Sequence, residues 1–487
     1  MRSLKALVQE ALPDRSPGKA LPEISIKGLE CDSRGVGKDF LFVAIRGVKK
    51  DGTEFIEEAI RRGAAAVVTD RPLPSSMEIP FILVPECRLA IAQLATAFYG
   101  HPARKLKTVG ITGTNGKTTS SFLIEHFLLK ERKETGVIGT VNTRFAGREI
   151  PAVETTPGPL RIQQILSQMV DARCDHAVME VSSHALDQNR VGGIDFEATL
   201  FTNLTQDHLD YHKTLEAYFE CKAKLFLGLS REKTAVINSD DPWGVKLMSQ
   251  VPSKILTYGI HADADLRAEQ IAWKEGRTFF NLRWRGSAFA VESPLIGTHN
   301  VYNVLGALGV MAGLGFDVRK CAGELKHFKG VPGRLESVDE GQNFLVFVDY
   351  AHTPDGLENV LKSLAPYKKD KLIAVFGCGG DRDRGKRPQM ARIASEFCDQ
   401  VFVTSDNPRS EDPKAIAQEV CAGFPAHFKD FTVAVDRRKA IRQALLSARE
   451  GDIVLLAGKG HETTQIVGDR TLAFSDREEA RKVLRGH

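Results

Sequence analysis

The stretch from Gly110 to Thr119, which reads Gly-Ile-Thr-Gly-Thr-Asn-Gly-Lys-Thr-Thr, constrains this chain more than any other feature. It follows a short apolar run and precedes a segment with helical spacing. Glycines let backbone N–H groups approach an anion, Lys117 adds positive charge, and the Thr118 hydroxyl can coordinate Mg²⁺ at a helix N-terminus. A plain glycine-rich turn is the alternative. The stretch therefore predicts strand, phosphate-binding loop and helix, with a nucleoside triphosphate as ligand.

The loop departs by one residue from the common pattern GxxxxGK followed by Ser or Thr. Counted back from Gly116, the first glycine of that pattern would stand at position 111, which is Ile, whereas glycine occupies position 110. The loop alone therefore indicates a nucleoside triphosphate as ligand and no particular class of protein.

Length and composition limit the remaining possibilities. A chain of 487 residues is too long for one core and predicts about three domains. A net charge of +4 without a Lys/Arg stripe argues against a nucleic-acid partner. Eight cysteines without a CxxC pair indicate reduced thiols, and no apolar run approaches the roughly 20 residues of a membrane span. We therefore expect a cytoplasmic protein with no membrane span.

Polar clusters follow two apolar runs in the central part of the chain. The run from His176 to Met179 leads into Glu180-Val-Ser-Ser-His, and the run from Ala198 to Phe201 leads into Thr-Asn-Leu-Thr-Gln-Asp-His208. Ligands of open parallel sheets bind at the carboxyl ends of the strands, so these clusters should converge on the phosphate loop.

Two residues of this region, Glu180 and His208, are candidates for binding a metal ion, and Lys222 gives no such signal. Glu180 is the best metal ligand, because Mg²⁺ prefers hard oxygen donors, and a buried, structurally paired glutamate is the alternative. His208 could be a ligand or an ordinary core histidine. The spacing around Lys222 on a predicted helix favours a solvated lysine.

The second half of the chain predicts another parallel sheet. Residues 271–291 alternate as an antiparallel hairpin does, Asn300 could cap the helix that follows, and the Gly-Val-Pro-Gly of residues 330–333 predicts a linker. Beyond it, four apolar runs each lead into a polar cluster.

The predicted fold class is α/β with three domains. A small N-terminal α/β domain takes residues 1–104, a central parallel-sheet domain of the P-loop ATPase kind takes 105–332, and a C-terminal Rossmann-like domain takes 333–487.

Several motifs together resemble the Mur ligase family over nearly the whole chain. Thr-Gly-Thr-Asn-Gly-Lys-Thr-Thr, Glu-Val-Ser-Ser-His, Asp-His-Leu-Asp-Tyr-His, His-Asn-Val-Tyr-Asn and Asp-Tyr-Ala-His-Thr-Pro occur in the family's order, and the family shares the unusual loop spacing. The resemblance implies ATP and Mg²⁺ as cofactors, small-molecule substrates and a monomer. It implies amide formation through an acyl phosphate in peptidoglycan precursor synthesis, and hence a part in cell-wall growth, cell shape and division.

The resemblance assigns roles residue by residue. Lys222 aligns with a lysine that the family carbamylates, which turns it into a carboxylate-like metal ligand. The implied catalytic residues are Lys117, Glu180, His208 and Lys222, and the implied metal ligands are Thr118, Glu180, His208 and carbamylated Lys222. The implied ATP site comprises Gly113, Thr114, Asn115, Gly116, Lys117, Thr118, Thr119, Asn300 (adenine), Arg334 (phosphate) and Asp349 (ribose). The implied site for UDP-MurNAc-L-Ala-D-Glu comprises Ser33, in the first domain's uridine-nucleotide pocket, with Thr155, Thr156, Ser183, Gln188 and Arg190.

The motifs of the C-terminal region bear on which amino acid supplies the incoming amine. In the family the Asp-Asn-Pro-Arg motif, here Asp406 to Arg409, accompanies meso-diaminopimelate. That amino acid carries a second carboxylate, which a guanidinium can bind with two charge-assisted hydrogen bonds. The implied diaminopimelate residues are Arg382, Asp406, Asn407, Pro408, Arg409, Gly458 and Glu462, with Glu462 suited to the distal ammonium.

Other functions stay open on the sequence. They are the same ligation with L-lysine, a relative that adds D-Ala-D-Ala, a folylpolyglutamate synthetase, and a regulatory P-loop ATPase without ligase activity. The last is disfavoured because a nucleotide switch has no need of so many convergent polar loops.

Overall fold

The computed structural model describes residues 1–13, 21–47, 50–74, 77, 79–274 and 276–486. The chain divides into two compact units, the first formed by Met1–Tyr258 with Gly306–Asp317 and the second by Gly259–Leu305 with Val318–His487. None of the described helices is long and apolar enough to cross a bilayer. All eight cysteines are free thiols, as predicted.

The first unit contains fourteen strands and nine helices among its described residues, with short 3₁₀ turns at Ser33–Gly35, Gly52–Phe55 and Pro102–Lys105. The strands are β1 (Arg2–Ser3), β2 (Ser25–Ile26), β3 (Gly28–Glu30), β4 (Phe40–Val43), β5 (Ala64–Thr69), β6 (Phe81–Leu83), β7 (Lys107–Thr112), β8 (Thr135–Ile138), β9 (Asn142–Phe145), β10 (Arg148–Pro151), β11 (His176–Glu180), β12 (Ala198–Phe201), β13 (Thr234–Asn238) and β14 (Lys254–Gly259). The helices are α1 (Leu4–Ala11), α2 (Ile56–Arg62), α3 (Cys87–Phe98), α4 (Lys117–Lys130), α5 (Pro159–Asp171), α6 (Ser183–Asp187), α7 (Leu209–His212), α8 (Leu215–Leu227) and α9 (Pro242–Met248).

The N-terminal part of this unit is a small α/β layer structure. Its four-stranded sheet runs in the order β3-β4-β5-β6 with parallel pairs. Leu4, Leu7 and Val8 recur on one face of α1 with helical spacing, so this helix buries one stripe in the core that α3 also lines.

The larger sheet of the first unit positions the phosphate loop. Its strands run in the order β10-β9-β8-β11-β7-β12-β13-β14. The neighbours in the run β8-β11-β7-β12-β13-β14 pair in parallel, whereas the pairs β8–β9 and β9–β10 are antiparallel. Strand β11 is buried along its whole length, because a parallel sheet is covered on both faces. Glu180 lies opposite Ile111 and Phe201 opposite Thr112, so β11 and β12 end beside the loop. The predicted convergence of these clusters is confirmed.

The second unit contains the remaining elements, and α10 contributes its residues after Leu305 to the first unit. Short 3₁₀ turns lie at Leu325–His327 and Ala365–Tyr367. The strands are β15 (Leu266–Lys274), β16 (Arg277–Trp284), β17 (Ser287–Ser293), β18 (Glu336–Ser337), β19 (Leu345–Asp349), β20 (Leu372–Phe376), β21 (Gln400–Val403), β22 (Phe431–Val433), β23 (Ile453–Ala457), β24 (Thr464–Val467) and β25 (Arg470–Ala473). The helices are α10 (Thr298–Gly313), α11 (Val318–Glu324), α12 (Pro354–Leu364), α13 (Lys386–Phe397), α14 (Pro413–Cys421), α15 (Arg437–Ser447) and α16 (Asp476–Leu484).

The four predicted strands of the C-terminal region share one six-stranded sheet, in the order β18-β19-β23-β20-β21-β22. All pairs from β19 to β22 are parallel, so the polar clusters that follow β19, β20, β21 and β23 lie along one edge. Strands β15, β16 and β17 pair antiparallel, which confirms the predicted hairpin. The predicted α/β fold class is confirmed in both units.

One local prediction is wrong. Asn300 does not cap a helix that starts near residue 304, because α10 begins at Thr298 and Asn300 lies in its first turn. Its side-chain amide donates to the Ile296 carbonyl at 2.8 Å and accepts from Asn303 at 3.0 Å. The helix therefore starts two residues before the asparagine that the sequence favoured as its cap.

Candidate functional site

The phosphate loop joins β7 to α4 through two glycines with positive φ, Gly113 at +148° and Gly116 at +88°. A side chain at Gly113 would collide with the Thr202 hydroxyl, so only glycine fits there. Asn203 holds the loop from the neighbouring strand end: its carbonyl accepts from the Thr114 N–H and its side-chain oxygen accepts from the Asn115 N–H, both at 2.9 Å. The loop is therefore preformed around glycine and backbone donors.

Two lysines converge on the carbonyl of Gly113. Lys117 donates to it at 2.8 Å and to the Thr114 carbonyl at the same distance, and Lys222 donates to it at 2.9 Å. Lys222 is 1 % exposed, so the interpretation as a solvated helix lysine is wrong.

Burial lowers the pKa of Lys222 well below its usual 10.5, and the neighbouring charge of Lys117 lowers it further. A lowered pKa favours the neutral amine, which is the nucleophilic form of a lysine. Helix α8 also places Lys222 Nζ 4.5 Å from the centre of the Tyr218 ring, which lies one turn earlier on the same face.

Glu180 ends β11 as a buried carboxylate with three hydrogen bonds. Thr118 donates its hydroxyl to Oε2 at 2.9 Å, and Thr140 donates its backbone N–H to Oε1 at 3.0 Å and its hydroxyl to Oε2 at 2.9 Å. Gly139 leaves room for the carboxylate, because a side chain there would collide with Oε1. Thr118 and Glu180 together offer the hard oxygen donors that Mg²⁺ prefers, so this pair fits a magnesium ion.

His208 lies at the entrance of α7 in a left-handed conformation with φ +52°. Its side chain is 46 % exposed, and Nε2 lies 3.4 Å from the Asp207 carboxylate. The ring contacts those of His184 and Tyr218, with centroids 4.9 and 6.2 Å apart. In the described part of the chain no three His, Cys, Asp or Glu side chains form a group that could hold a metal ion, and the predicted set contains only Glu180 and His208 of these types.

The residues predicted for the muramoyl-peptide substrate surround the end of β11. Thr156 donates its hydroxyl to the Glu180 carbonyl at 2.8 Å, and the Thr155 hydroxyl lies 3.1 Å from that of Thr140. Arg190 donates to the Thr156 carbonyl at 2.7 Å and to the Gln188 amide oxygen at 3.0 Å. The structure therefore brings these side chains to the same strand end as the phosphate loop.

The remaining two residues predicted for this substrate, Ser183 and Ser33, are buried and hydrogen-bonded. The Ser183 hydroxyl lies 2.9 Å from His212 Nε2. Ser33 belongs to the 3₁₀ turn after β3, where Asp32 caps the turn and Ser33 donates to Glu58 at 2.7 Å. That hydrogen bond holds the pKa of Glu58 below its usual value.

The residues predicted for adenine, phosphate and ribose lie in the second unit. Asp349, at the end of β19, accepts backbone N–H groups of Leu335 and Ala351, both at 2.7 Å, and burial raises its pKa. Arg334 stacks its guanidinium 4.9 Å from the centre of the Tyr350 ring. Its buried Nε has no hydrogen-bond partner among the described residues. Arg334 therefore retains a donor for an anion.

Arg409 is the central residue of the predicted diaminopimelate site. It adopts a left-handed conformation with φ +51°, and the β24–β25 hairpin clamps its backbone, since Arg409 N donates to the Ile466 carbonyl and Gly468 N to the Arg409 carbonyl. Its Nη1 donates to the Gly380 carbonyl at 2.8 Å. No other hydrogen bond joins its guanidinium to the described residues, so several N–H donors stay available to a carboxylate.

Asn407 and Glu462 contact each other beside this arginine. The Asn407 side-chain N–H donates to Glu462 Oε2 at 3.0 Å, and the fully buried Lys459 donates to the same oxygen at 2.7 Å. The Asn407 N–H is capped by Asp406 Oδ1 at 2.7 Å, and a side chain at Gly458 would approach Asp406 Oδ2 to 2.7 Å.

The other two predicted residues lie on adjoining loops. The Pro408 carbonyl accepts from Glu411 N and packs on Gly380, where a side chain would collide with it. Arg382 is exposed and donates to the Asp381 carbonyl at 2.9 Å. The structure thus brings the seven predicted residues onto three neighbouring strand ends of one sheet.

Sequence reasoning missed four residues that shape these sites: Thr140, Asn203, Tyr218 and Lys459. Asn203 stood inside a recognised strand-end cluster, and Tyr218 precedes Lys222 by one helical turn, so both had a signal. Lys459 also stood inside a recognised cluster, the Gly-Lys-Gly-His-Glu that follows the last apolar run, so it had the same signal as Asn203. Thr140 had no feature that distinguishes it from an ordinary loop residue.

Comparison with known proteins agrees with this geometry. Profiles described as the Mur ligase family catalytic domain, the Mur ligase middle domain and the Mur ligase glutamate ligase domain match residues 25–99, 111–311 and 333–460. The chain belongs to the Mur ligase family. The prediction of a Mur-type ligase is therefore confirmed.

Two relatives within the Mur ligases are both named UDP-N-acetylmuramoyl-L-alanyl-D-glutamate–2,6-diaminopimelate ligase. The protein of Gloeobacter violaceus is 48% identical over 486 residues, covering 99% of this chain and 98% of that one. The protein of Geobacillus kaustophilus is 47% identical over 466 residues, covering 94% and 95%. A solved structure of a ligase with the same name matches with a TM-score of 0.74 and 35% identity, covering 99% of both chains.

A more distant Mur ligase, the MurF ligase of Thermotoga maritima solved in complex with ADP, has a TM-score of 0.62 and 22% identity, with 95% of this chain and 98% of that one covered. At that identity the likeness shows the shared fold alone.

Proposed function

We propose that this Mur ligase adds meso-2,6-diaminopimelate to UDP-N-acetylmuramoyl-L-alanyl-D-glutamate, with ATP as the energy source. The observation that carries the proposal is the pair of complementary groups in the second unit. Arg409 keeps unused N–H donors for a carboxylate, and the Glu462 carboxylate, held by Asn407, suits an ammonium. A carboxylate and an ammonium are the two charged groups at the distal end of diaminopimelate. The names of the relatives support the same substrate.

In the proposed reaction the terminal carboxylate of the UDP-dipeptide accepts the γ-phosphoryl group of ATP and becomes an acyl phosphate. The amine of diaminopimelate then attacks the activated carbonyl carbon, and phosphate leaves as the amide forms. No protein nucleophile is required. Phosphoryl transfer between anions needs positioning and positive charge, which the Lys117 ammonium and the backbone N–H groups in the first turn of α4 would supply.

Magnesium, when bound, would neutralise charge on the phosphate oxygens. Two ions are proposed. Thr118 would hold the ion on the phosphate side and carbamylated Lys222 would hold the second, with Glu180 and His208 as the other metal-binding residues. The burial of Lys222 and the lowering of its pKa favour carbamylation, because only the uncharged amine adds to carbon dioxide, and the carbamate would place a negative charge beside Lys117. The negative carbamate on Lys222 would attract the positive charge of Lys117, whereas two protonated lysines at this place would repel each other.

The proposal assigns Asn300, Arg334 and Asp349 to adenine, phosphate and ribose, together with the loop residues Gly113 to Thr119. It assigns the dipeptide and its nucleotide to Ser33, Thr155, Thr156, Ser183, Gln188 and Arg190. We further propose three domains with limits at 1–104, 105–332 and 333–487, a monomer, and a cytoplasmic role in peptidoglycan precursor synthesis.

The test is a phosphate-release assay with ATP, Mg²⁺ and UDP-N-acetylmuramoyl-L-alanyl-D-glutamate, to which each candidate amino acid is added in turn. We expect release that depends on both the nucleotide sugar and diaminopimelate. Equal use of L-lysine would overturn the substrate assignment, and release that needs neither partner would favour a regulatory ATPase.

A further inference from the structure

The amino-acid site contains a charged residue with no assigned role. Lys459 follows β23 between two glycines with positive φ, Gly458 at +114° and Gly460 at +52°, and its side chain is 0 % exposed. Its ammonium donates to Glu462 Oε2 at 2.7 Å and to Asn407 Oδ1 at 3.1 Å. A buried ammonium is costly unless it is paired and hydrogen-bonded, so these two contacts are what keep Lys459 inside.

These contacts determine the orientation of both partners. The Asn407 oxygen accepts from Lys459 and from Ile466 N at 2.9 Å, which directs the amide N–H toward Glu462. Glu462 Oε2 therefore accepts two hydrogen bonds, while Oε1 accepts none from the described residues. One oxygen of the carboxylate faces the protein, and the other is left for a ligand.

We propose that Lys459 is a positioning residue of the amino-acid site, which aims Glu462 and sets the charge of the site so that a distal zwitterion is preferred over a lone ammonium. The inference rests on the proposed function, since it concerns how the same site tells diaminopimelate from L-lysine. Arg409 contributes an attraction for the distal carboxylate. Lys459 contributes the second positive charge in the same site.

The distal ends of the two amino acids differ by one unit of charge. The distal end of diaminopimelate carries an ammonium and a carboxylate and is neutral, whereas that of L-lysine carries the ammonium alone. Lys459 offsets part of the Glu462 charge, so an ammonium gains less from this carboxylate than it would without Lys459, whereas the extra carboxylate of diaminopimelate gains from Lys459. Removal of Lys459 lowers the charge of the site by one, which favours the cationic end of L-lysine.

The experiment compares the two amino acids in the wild-type protein and in Lys459→Met, which keeps the length of the side chain and removes the charge. We measure kcat and KM for each amino acid by phosphate release. The ratio of kcat/KM for diaminopimelate to that for L-lysine should fall about tenfold, which corresponds to about 1.4 kcal/mol and lies within the range for two unit charges in a partly wet site. The KM values for ATP and the UDP-dipeptide should stay unchanged, which a general structural defect would not allow.

The matched control is Lys414→Met, on the exposed start of α14, which should leave the ratio as it is. A ratio that Lys459→Met leaves unchanged, in a wild-type protein that prefers diaminopimelate, overturns the inference and leaves the proposed function standing. A wild-type protein that uses neither amino acid overturns both.

A second variant covers the case in which Lys459→Met does not fold because it leaves the half-buried Glu462 carboxylate without its counter-charge. Lys459→Met combined with Glu462→Gln removes both charges of the pair and restores the net charge of the site. We expect higher KM values for both amino acids and a ratio close to that of the wild type. A ratio that moves toward L-lysine in the double variant contradicts the charge argument.

Discussion

Acid stability should depend strongly on one histidine of the strand that carries Glu180. His176 begins β11 and is 2 % exposed. Neither ring nitrogen has a hydrogen-bond partner among the described residues, and the ring packs against Phe316 with centroids 6.0 Å apart. Burial lowers the pKa of His176 from 6.5 to about 4, and the charge of Lys107 acts in the same direction.

The sign of the effect follows from proton binding. The unfolded chain binds a proton at His176 near pH 6.5, whereas the folded chain resists it until about pH 4. The folded state therefore loses stability as the pH falls through this window, and there is no loss above it. Between pH 7 and pH 5 the expected loss is about 2 kcal/mol, and below pH 4 it reaches about 3 kcal/mol.

His176→Phe should remove this loss, because phenylalanine fills the same apolar site and does not titrate. We expect the difference in unfolding free energy between pH 7 and pH 5, measured by urea titration with circular dichroism, to shrink by about 2 kcal/mol in the variant. His427→Phe, at an exposed position, is the control and should not change the difference. An equal acid loss in wild type and His176→Phe would refute the reasoning, since it would show that the buried ring is not what titrates.

Other predictions concern catalysis. Arg409→Ala should lower kcat/KM for diaminopimelate by a factor that corresponds to about 2–5 kcal/mol, the range for removal of one partner from a desolvated charge pair. The exposed control Arg442→Ala should leave kcat/KM unchanged. An equal loss of kcat/KM with L-lysine would mean that the whole site has collapsed. Lys222→Ala should abolish phosphate release, and a small carboxylic acid in solution should restore part of it; absence of rescue argues against the carbamate. Thr140→Val, which removes one hydrogen bond to Glu180, should raise the Mg²⁺ concentration for half-maximal activity about tenfold, and an unchanged Mg²⁺ dependence would contradict the placement of the metal.

Local patterns were sufficient for the strands and loops that carry the site. A parallel strand buried on both faces is an unbroken apolar run, so β7, β11, β19 and β23 could be recognised from the sequence, together with the polar residues at their ends. The phosphate loop could be recognised because its glycines and Lys117 lie within a few residues of each other. The start of α10 could not, because its first turn contains no cap signal stronger than Asn300.

The sequence did not determine which charged side chains are buried. Lys222 and Lys459 each occupy a position that charge and spacing would assign to solvent. Yet Lys222 reaches the carbonyl of Gly113, 109 residues earlier, and Lys459 reaches the side chain of Asn407, 52 residues earlier. Such contacts depend on which strands become neighbours in a sheet, and no local window contains that information.

The sequence by itself thus determined the α/β class, the phosphate loop and the family, because each of these is written in short motifs whose residues act within one turn or one strand end. Only the tertiary structure decided that two lysines meet at the back of the loop, that Thr140 holds Glu180, and that a buried lysine aims Glu462. The physical reason is that the pKa and orientation of a charged side chain are set by the groups packed around it, which the parallel sheets gather from distant parts of the chain.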